Sequence, residues 1–533
     1  MVMERGELFF RNYGKKVKLE RGRSLLSYCQ ELGIELPSLC GGIGVCGQCL
    51  LKVEGEGLNP LTEAELKFVK PGERLACQAR VEEEEGRIIV EVPERRYKIL
   101  EKGRILPVRL EPAVRREGRE VVWEWKEERR KMGEYEGEIV GLALDVGTTT
   151  LVAYAVDLET GRILGVTSMK NPQEVYGGDV ISRIAHARKE GQRELEEAVR
   201  RAVNIMVERL GVKPEHVYEM VVVGNSTMRD LFLGHPVASL GVFPFQPFTL
   251  EAQNRKPTEL GLKMNPMGNV YALPLIGGFV GADTVAGILA TDLHRKEEIG
   301  LLVDIGTNTE IVVGNRERMI STSCASGPAF EGSGIKCGVG AISGAISRVE
   351  MDGSGRVTYE TIDDLPPVGL CGSALIDVLA EMLNKGFMDE TGKFTGGRRE
   401  VVIAKGEREI KIDEEDVDKL KLAKAAICVG TKVLLEKYGI GVEEVEKVYL
   451  AGAFGTYIRV ENAYAIGLLP SVPLGKVEKV GNCALEGARQ ALVSKGRRRE
   501  GEEVARRVEY LNLESESDLM YRLVGELSFS PCV

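Results

Sequence analysis

Long apolar runs are missing from this 533-residue sequence, which argues against a membrane-spanning protein. A helix that crosses a bilayer needs about 18 or more consecutive apolar residues. The N-terminal stretch MVMERGELFF also lacks the apolar core and the small-residue cleavage site of a secretory signal. We therefore expect a cytoplasmic protein that does not bind membranes.

The chain also has no excess of basic charge and contains few histidines. The formal net charge of -10 and the pI near 5.4 argue against nucleic-acid binding, because that partner favours clustered Lys and Arg. The 4 histidines show no metal-ligand spacing. No Walker-type GxxxxGK[ST] motif occurs, so a P-loop ATPase is not supported.

Cysteine, in contrast, is present in an informative arrangement. The odd count of 11 fits thiols that stay reduced or bind metal better than it fits a disulfide framework. Three of them share the glycine-rich stretch PSLCGGIGVCGQC, and a fourth follows in RLACQAR. The glycines let backbone amides turn toward an inorganic sulfide. The predicted metal ligands are Cys40, Cys46, Cys49 and Cys77.

Two kinds of metal centre use four thiolates. Plant-type 2Fe-2S proteins have the spacing C-x4-C-x2-C with a distant fourth cysteine, and this chain has one extra residue in the first loop. Structural zinc sites usually consist of two close cysteine pairs. The sequence therefore favours a 2Fe-2S cluster and leaves zinc as the alternative. Cys29 and the remaining cysteines are interpreted as core residues.

Hydrophobic patterning divides the chain into distinct regions. Residues 1–93 contain short alternating segments and a helical stretch at 24–32, which predicts a small α+β domain with one helix on its sheet. Residues 94–137 are dense in alternating charge around Trp123 and Trp125. We interpret this region as a charged linker, partly extended and helical near its end.

The remainder of the chain contains a duplicated α/β unit. GLALDVGTTT opens the first copy, residues 138–299, and GLLVDIGTNTE opens the second, residues 300–533. Each copy has apolar strands followed by amphipathic helices. Two lobes of similar fold are therefore predicted.

Each copy opens with a turn suited to phosphate. Asp145 and Asp304 supply carboxylates for Mg²⁺ and its water ligands, while glycine and hydroxyl residues approach phosphate oxygens. One such turn alone is also an ordinary hairpin connection, but two copies at corresponding positions favour a phosphate site. Its predicted ligands are Gly147, Thr148, Thr149, Gly306, Thr307 and Asn308.

Small residues mark further parts of the predicted site. In LAGAFG, Gly452 and Gly455 allow an adenine and ribose to lie against the backbone, and Gly224 ends the corresponding strand of the first copy. Helices predicted within residues 277–290 and 481–493 carry small residues at helical spacing. Such helices can cross closely and act as a hinge between lobes.

Residues 138–533 resemble the superfamily of sugar kinases, heat-shock chaperone ATPases, actin and acetate kinase, in which ATP and Mg²⁺ lie between two lobes. With the cysteine-rich domain ahead of it, the whole chain resembles the reductive activators of corrinoid proteins. The segments SGPAFEGSGI, LAGAFGTYI and EYLNL agree with that family. The resemblance implies a multidomain protein: a 2Fe-2S ferredoxin-like (β-grasp) domain, a charged linker and a duplicated, actin-like ATPase.

The resemblance also implies a function. Reducing cobalt(II) to cobalt(I) in a corrinoid protein is uphill, at about 2.3 kcal/mol for every 100 mV, and coupling to ATP can offset this cost. The cluster is expected to pass one electron to a corrinoid protein that serves a methyltransferase. Another ferredoxin or a reductase is expected to reduce the cluster. The resemblance leaves a homodimer open.

Two questions stay open at the level of sequence. Asp283, at the start of the first small-residue helix, and Glu310, just past the second phosphate turn, are both candidates for orienting the attacking water. Two other functions also fit the motifs: an ATP-gated chaperone for a cofactor or metal, and a small-molecule kinase with an appended iron-sulfur sensor. A kinase would need a phosphoryl acceptor to consume ATP.

Overall fold

The N-terminal domain is a small mixed sheet with one helix. The computed structural model describes residues 5–34, 36, 44, 47, 49–93, 105–405 and 409–532. The elements of this domain are β1 (Glu7–Phe10), β2 (Lys15–Lys18), α1 (Leu25–Glu31), β3 (Leu50–Glu56), β4 (Glu73–Leu75) and β5 (Arg87–Glu91). The strand order is β2-β1-β5-β3-β4, which confirms the predicted ferredoxin-like class.

Helix α1 forms where the sequence predicts it. The Ser24 side chain caps its N-terminus by accepting a bond from the Ser27 amide at 3.2 Å. Leu25, Tyr28 and Cys29 on one face are buried. Burial of the Cys29 side chain confirms its interpretation as a core residue.

The prediction that residues 94–137 form a linker, partly extended and helical near its end, is wrong for its described part. Residues 114–134 form an antiparallel sheet of β6 (Val114–Glu117), β7 (Glu120–Trp125) and β8 (Glu128–Glu134), with no helix near its end. Trp123 and Trp125 belong to the core of the first lobe, and Trp123 Nε1 donates to the buried Glu219 at 3.2 Å. The charged residues of these strands hide the apolar pattern of their buried face. Residues 94–104 lie outside the described ranges.

The first lobe contains a six-stranded sheet with helices on its faces. Its elements are β9 (Val140–Val146), β10 (Thr150–Asp157), β11 (Ile163–Lys170), α2 (Val180–Lys189), α3 (Arg193–Arg209), β12 (Val217–Val223), α4 (Ser226–Leu233), β13 (Gln253–Arg255), β14 (Asn269–Ala272) and α5 (Ala282–Thr291). The strand order is β11-β10-β9-β12-β14-β13. Strand β12 is buried along its whole length, as expected for a strand covered on both faces.

The second lobe begins with the same pattern. Its elements are β15 (Gly300–Ile305), β16 (Thr309–Gly314), β17 (Met319–Cys324), β18 (Ala345–Met351), β19 (Val357–Thr361), β20 (Gly369–Leu370), α6 (Gly372–Asn384), β21 (Glu400–Lys405), β22 (Glu409–Asp413), α7 (Glu414–Tyr438), β23 (Lys447–Ala451), α8 (Gly452–Tyr457), α9 (Val460–Ala465), β24 (Val477–Gly481), α10 (Cys483–Val493), α11 (Lys495–Arg507), β25 (Val508–Tyr510) and α12 (Leu519–Gly525).

The two sheets confirm the internal duplication. The second lobe orders its strands β24-β23-β15-β16-β17-β25, so β17, β16, β15, β23 and β24 correspond to β11, β10, β9, β12 and β14. In both lobes the first two strands form an antiparallel hairpin, the third strand pairs antiparallel with the second, and a later strand, β12 or β23, pairs in parallel with the first. Asp145 and Asp304 both occupy the penultimate position of the first strand.

The small-residue helices α5 and α10 cross closely, as predicted. A Cβ atom added to Gly487 would lie 2.1 Å from the Ala286 carbonyl oxygen, so only glycine fits at this crossing. Helix α5 starts at Ala282 rather than at residue 277. Both helices belong to one core cluster shared by the two sheets, where they can act as the predicted hinge.

The longest helices follow their amphipathic patterns. Helix α3 buries Leu195, Val199 and Val203 on one face, and α7 extends over 25 residues with three acidic residues in its first turn. Among the described residues, no helix combines the length and the apolar character needed to cross a bilayer.

One cysteine pair differs from the sequence prediction. Cys428 in α7 and Cys532 near the C-terminus form a disulfide with their Cα atoms 5.7 Å apart. Both side chains are buried, as the interpretation as core residues predicts, but the expectation that they are reduced thiols is wrong. Their separation of 104 residues carries no local signal, because the fold alone brings the C-terminal segment beside α7.

Candidate functional site

A cavity of about 520 Å³ lies between the lobes, at the ends of both Asp-containing hairpins. Cavities of about 300–1,000 Å³ accommodate small molecules in proteins. The predicted residues that line it are Asp145, Gly147, Thr148, Thr149, Asp283, Asp304, Gly306, Thr307, Asn308 and Gly452. The fold therefore brings together all the predicted catalytic and nucleotide-binding positions except Gly455.

The first hairpin turn is held by neighbouring helices. The Gly147 amide closes the turn with a 3.0 Å bond to a backbone carbonyl within it. Asn225, the N-cap of α4, donates to Thr148 Oγ1 at 2.9 Å, and Arg183 of α2 donates to the Thr148 carbonyl at 2.7 Å. Burial lowers the pKa of Arg183 to about 10, so the guanidinium stays charged at neutral pH.

The second hairpin turn is held by its own lobe. The Gly306 amide donates to the Asn308 carbonyl at 3.2 Å. Ser326 Oγ lies 3.0 Å from Thr309 Oγ1 and 3.4 Å from the Gly306 and Thr307 carbonyls. One serine thus supports the backbone of the whole turn.

Four carboxylates face the cavity from the hairpins and from α5. Asp145 Oδ2 accepts a bond from the Asn482 side chain at 3.1 Å. Asp304 Oδ2 lies 3.6 Å from Cys483 Sγ. Asp283 occupies the first turn of α5.

The fourth carboxylate, Glu310, stands opposite Asp304 across the second hairpin. It is 8% exposed and accepts a bond from Ser323 Oγ at 3.1 Å. Two acidic side chains therefore project from neighbouring positions on the same face of this hairpin.

Desolvation disfavours the charged form of all four carboxylates. With repulsion from Asp283, it raises the pKa of Asp145 and of Asp304 to about 7. Desolvation raises the pKa of Asp283 to about 6, and it raises the pKa of Glu310 as well. A divalent cation would favour the charged form of such a group, because it compensates the lost hydration.

Glu331 joins the two hairpin turns. Its Oε2 accepts a bond from Thr149 Oγ1 at 3.1 Å, and its Oε1 accepts one from Thr307 Oγ1 at 2.8 Å. The two threonine hydroxyl oxygens are 3.1 Å apart. One carboxylate thus contacts a predicted phosphate ligand from each lobe.

Lys170 is the basic residue among the described residues that line the cavity. Its Nζ contacts both carboxylate oxygens of Glu174, at 2.8 and 3.0 Å. The acidic lining residues are Asp145, Asp283, Asp304, Glu310 and Glu331. Because acidic groups outnumber the lysine, a polyphosphate needs an accompanying cation to bind here.

Two glycines permit the close packing of strand ends beside the cavity. Gly224 has a φ of +153°, and its added Cβ would lie 2.6 Å from the Val146 carbonyl oxygen. Gly452 has a φ of +87°, and its Cβ would lie 2.5 Å from the Ile305 carbonyl oxygen. The two glycines occupy equivalent places in the two lobes, as the sequence predicts.

Gly455 lies outside the cavity wall. Its added Cβ would be 3.1 Å from Leu450 Cγ, so this glycine faces strand β23. The cavity wall beyond the hairpins includes Phe330, Ile362, Cys371, Ser373 and Tyr457. This part of the wall combines apolar and polar side chains.

Two of the four predicted thiolates, Cys40 and Cys46, lie outside the described residues. Cys49, next to β3, is 1% exposed, and Cys77, after β4, is 3% exposed. Within the described ranges, no three His, Cys, Asp or Glu side chains lie close enough to hold a metal ion. The metal-ligand assignment therefore stays a prediction.

The described part of the cysteine loop fits an iron-sulfur cluster. Gly47 has a φ of +65°, and its added Cβ would lie 2.3 Å from the Phe68 ring. Gln78 Nε2 approaches Cys77 Sγ at 3.5 Å. A buried thiol, a glycine-permitted turn and a donor to sulfur are the features that such a site needs.

The N-terminal domain contacts the first lobe beside its phosphate turn. Val175 packs against the core of the N-terminal domain, and Arg209 Nη2 donates to the Gly33 carbonyl at 2.7 Å. A small cavity between the two is lined by residues from α1 and by residues 169–172 and 174. Lys170 lines both this cavity and the large one.

The sequence matches three family models in chain order. Residues 10–82 match the 2Fe-2S iron-sulfur cluster binding domain, residues 140–296 the RACo middle region, and residues 298–531 the C-terminal domain of RACo, the ASKHA domain. A solved reductive activator for corrinoid, iron-sulfur protein aligns with 98% of this chain and 98% of its own, with 31% identity and a TM-score of 0.74. The chain belongs to the RACo family.

Curated relatives agree with membership of the RACo family. The corrinoid activation enzyme RamQ of Eubacterium limosum is 38% identical over 392 residues, which are 68% of this chain and 65% of RamQ. The [Co(II) methylated amine-specific corrinoid protein] reductase of Methanosarcina barkeri is 28% identical over 399 residues, 69% of this chain and 72% of that protein. The chain thus spans slightly less than two thirds of RamQ.

The matches confirm the resemblance read from the motifs and favour 2Fe-2S over zinc for the N-terminal domain. Five residues of this RACo site were nevertheless not predicted from the sequence. All five lie outside the two Asp motifs, on strands, helices and helix caps that carry no phosphate-binding pattern. The five are Lys170, Arg183, Asn225, Glu331 and Asn482. Two signals were available: the Asn-led helix starts GNST and GNC, since Asn favours N-caps, and the segment SGPAFEGSGI, which contains Glu331.

Proposed function

We propose that this protein is an ATP-dependent reductive activator that passes one electron from a 2Fe-2S cluster to a corrinoid protein of a methyltransferase system. The observation that carries the proposal is the contact between the ferredoxin-like domain and the lobe that bears the first phosphate turn. RamQ is a corrinoid activation enzyme and the M. barkeri relative a corrinoid protein reductase. Both names support this function.

Cys40, Cys46, Cys49 and Cys77 are the proposed cluster ligands. A bound 2Fe-2S cluster supplies a one-electron carrier whose potential depends on its surroundings. The protein keeps water away from the sulfur atoms, since the Cys49 and Cys77 side chains are buried. The contact from Gln78 to Cys77 Sγ is the type of bond that tunes such a potential.

ATP with Mg²⁺ is the proposed ligand of the large cavity. The phosphates lie between the two turns, and the nucleoside lies toward Ile362, Cys371 and Tyr457. Mg²⁺ usually keeps several waters and takes one or two carboxylates plus phosphate oxygens. Asp145 and Asp304 are the proposed ligands of this cation or of its waters, and Asp283 supports them.

Asn171 links the phosphate turn to the ferredoxin-like domain. Its amide donates to the Thr149 carbonyl and its side chain to the Gly147 carbonyl, both at 2.8 Å. The following segment, Pro172–Tyr176, is a short 3-10 helix that carries Val175 against the N-terminal core. We infer that lobe closure on ATP shifts this segment and so changes how the cluster domain docks.

The partners in this proposal follow from the electron path. A corrinoid protein receives the electron, and a ferredoxin or reductase supplies it. ATP favours the lobe arrangement that binds the client productively, so hydrolysis leaves no phosphorylated product. A homodimer is a further proposed assembly.

The direct test mixes the anaerobically reduced protein with a cobalt(II) corrinoid protein, with and without Mg·ATP. We expect the cobalt(I) absorption bands to appear while the visible spectrum of the cluster returns to its oxidised form, and only with ATP. A reduced protein that keeps its spectrum in the presence of client and ATP would contradict electron donation.

The same experiment separates the other two functions. A small-molecule kinase consumes ATP only with an acceptor and produces a phosphorylated compound, which mass spectrometry detects. A cofactor chaperone transfers metal or corrinoid to its partner without any change in cobalt oxidation state. Neither result is compatible with the proposed activator.

A further inference from the structure

Glu331 lies apart from the four carboxylates that face the cavity from the hairpins and from α5. It ends the short 3-10 helix Pro328–Glu331, and its neighbour Phe330 is anchored in the core of the second lobe. The Glu331 carboxylate reaches from this anchor to Thr149 of the first lobe and Thr307 of the second. It therefore lies one hydrogen bond away from each phosphate turn.

The electrostatic neighbours of Glu331 differ from those of the other acids. Besides desolvation, the negative charge of Asp283 raises the pKa of Asp145, Asp304 and Glu310. The charged groups that act on Glu331 are instead Lys170, which lowers its pKa, and Glu174, which raises it and is hydrogen-bonded to Lys170. The cavity thus has one group of acidic side chains around Asp283 and a separate carboxylate, Glu331, between the two turns.

The number of hydrogen atoms available in this contact depends on whether Glu331 is protonated. Three close contacts join the Glu331 carboxylate and the hydroxyls of Thr149 and Thr307, but an ionised carboxylate carries no hydrogen and each hydroxyl carries one. With Glu331 ionised, both hydroxyl hydrogens point to its oxygens. With Glu331 protonated, the acid becomes a donor, and both hydroxyls are free to donate elsewhere.

We propose that Glu331 is the general base that orients and deprotonates the water attacking the terminal phosphate; this rests on the proposed ATP hydrolysis. The water oxygen forms the new P–O bond, the bond from that phosphorus to the bridging oxygen of ADP breaks, and the water proton goes to Glu331. Glu331 later returns the proton to solvent. The products are ADP and inorganic phosphate.

Protonation of Glu331 then changes the contacts between the lobes. The hydroxyls of Thr149 and Thr307 turn from the carboxylate to the phosphate oxygens as hydrolysis proceeds. Because each threonine belongs to a different lobe, the chemical step remodels the bridge between them. Desolvation also raises the pKa of Glu331, which makes its carboxylate a stronger base.

The test is Glu331→Gln, which keeps the shape of the side chain and removes the basic oxygen. We expect ATP turnover to fall by about 10²–10⁴-fold, while the affinity for Mg·ADP changes by less than about threefold. The acidic limb of the pH–rate profile should disappear with the base. Glu360→Gln, a change at a side chain that is 74% exposed on β19, is the matched control and should retain wild-type turnover.

Glu331→Asp provides a second variant if the glutamine form does not fold. It keeps a carboxylate but retracts it, so turnover should fall while the pH dependence remains. Turnover of Glu331→Gln within threefold of the wild type, or a parallel loss of Mg·ADP binding, would overturn the assignment. Wild-type protein without any ATP turnover would instead refute the proposed hydrolysis itself.

Discussion

The two hairpins that border the cleft share their geometry but differ in what faces each aspartate. In both, the aspartate is the penultimate residue of the first strand, and a glycine begins the turn. Val152 stands opposite Asp145 across the first hairpin, whereas Glu310 stands opposite Asp304 across the second. We infer that the second hairpin carries more of the metal binding.

The supports of the two turns also differ. Ser326 supports the second turn from within its lobe. Arg183 and Asn171 support the first, and Asn171 leads directly into the segment that touches the ferredoxin-like domain. The two hairpins therefore have similar geometry and different surroundings, and we propose that the second contributes more to metal binding while the first connects the cleft to the ferredoxin-like domain.

The largest effect expected from this asymmetry is on ATP turnover. Asp304→Asn should lower turnover by about 10²–10³-fold, because it removes a metal-facing charge beside Glu310. Asp145→Asn should cost about tenfold, because the Asn482 amide still orients its side chain. Steady-state phosphate release measures both. Equal losses in the two variants would contradict the division of tasks.

Exchanging the residues opposite the aspartates tests the comparison directly. Glu310→Val should weaken Mg²⁺ binding by about 10–100-fold, and it should stabilise the metal-free protein because a desolvated carboxylate is removed. The reciprocal Val152→Glu should destabilise the first lobe by about 2 kcal/mol or more, since it buries an unpaired charge.

Mg²⁺ titration and thermal unfolding measure the two effects. Glu360→Gln again serves as the neutral control for removal of one negative charge. Tighter Mg²⁺ binding by Glu310→Val would remove Glu310 from the metal site.

The pH dependence of stability provides a smaller effect. A carboxyl group whose pKa is higher in the folded protein than in the unfolded chain stabilises the fold at pH values below its unfolded pKa. This stabilisation is lost as the pH rises through the pKa of the folded state. For Asp145, Asp283 and Asp304, whose folded pKa values are about 6 to 7, the loss falls between about pH 4 and pH 7.

The nucleotide-free protein should therefore lose about 1–3 kcal/mol over that range, a figure reduced for the exposure of these groups to the cavity. Stabilisation by Mg·ADP should grow over the same range, because the cation binds the ionised carboxylates. Thermal unfolding at pH 5, 6, 7 and 8 measures both. A nucleotide-induced shift that is the same at pH 5 and pH 8 would contradict the raised pKa values.

The smallest effect concerns the contact with the ferredoxin-like domain. Arg209→Ala removes the bond to the Gly33 carbonyl and should weaken the ATP stimulation of electron transfer by about fivefold. ATP turnover itself should not change. Arg193→Ala, on the exposed face of the same helix, is the control. If Arg209→Ala leaves the stimulation intact, the domain contact does not carry the coupling.

Much of the cleft could be predicted from the sequence because the same Asp-containing motif occurs twice. The motifs around Asp145 and Asp304 are local, and a hairpin between apolar strands places both at the same edge of equivalent sheets. The crossing of α5 and α10 was also predictable, since Gly487 and its neighbours form a local pattern of small residues.

Other features depend on tertiary contacts that the local sequence does not predict. Glu331 lies beyond a whole strand from its hairpin, and Arg183 reaches Thr148 from a separate helix. The strands around Trp123 look like a solvated linker because their exposed faces are highly charged. Cys428 and Cys532 meet only after the C-terminal segment packs against α7.

The coupling between the cleft and the cluster is tested by measuring cobalt(I) formation when anaerobically reduced Asp304→Asn protein is mixed with a cobalt(II) corrinoid protein and Mg·ATP. We expect normal chemical reduction of the N-terminal domain and a wild-type cluster spectrum, but no ATP-stimulated formation of cobalt(I). Cobalt(I) appearing at the wild-type, ATP-stimulated rate in this variant would contradict the claim that the cleft drives electron delivery.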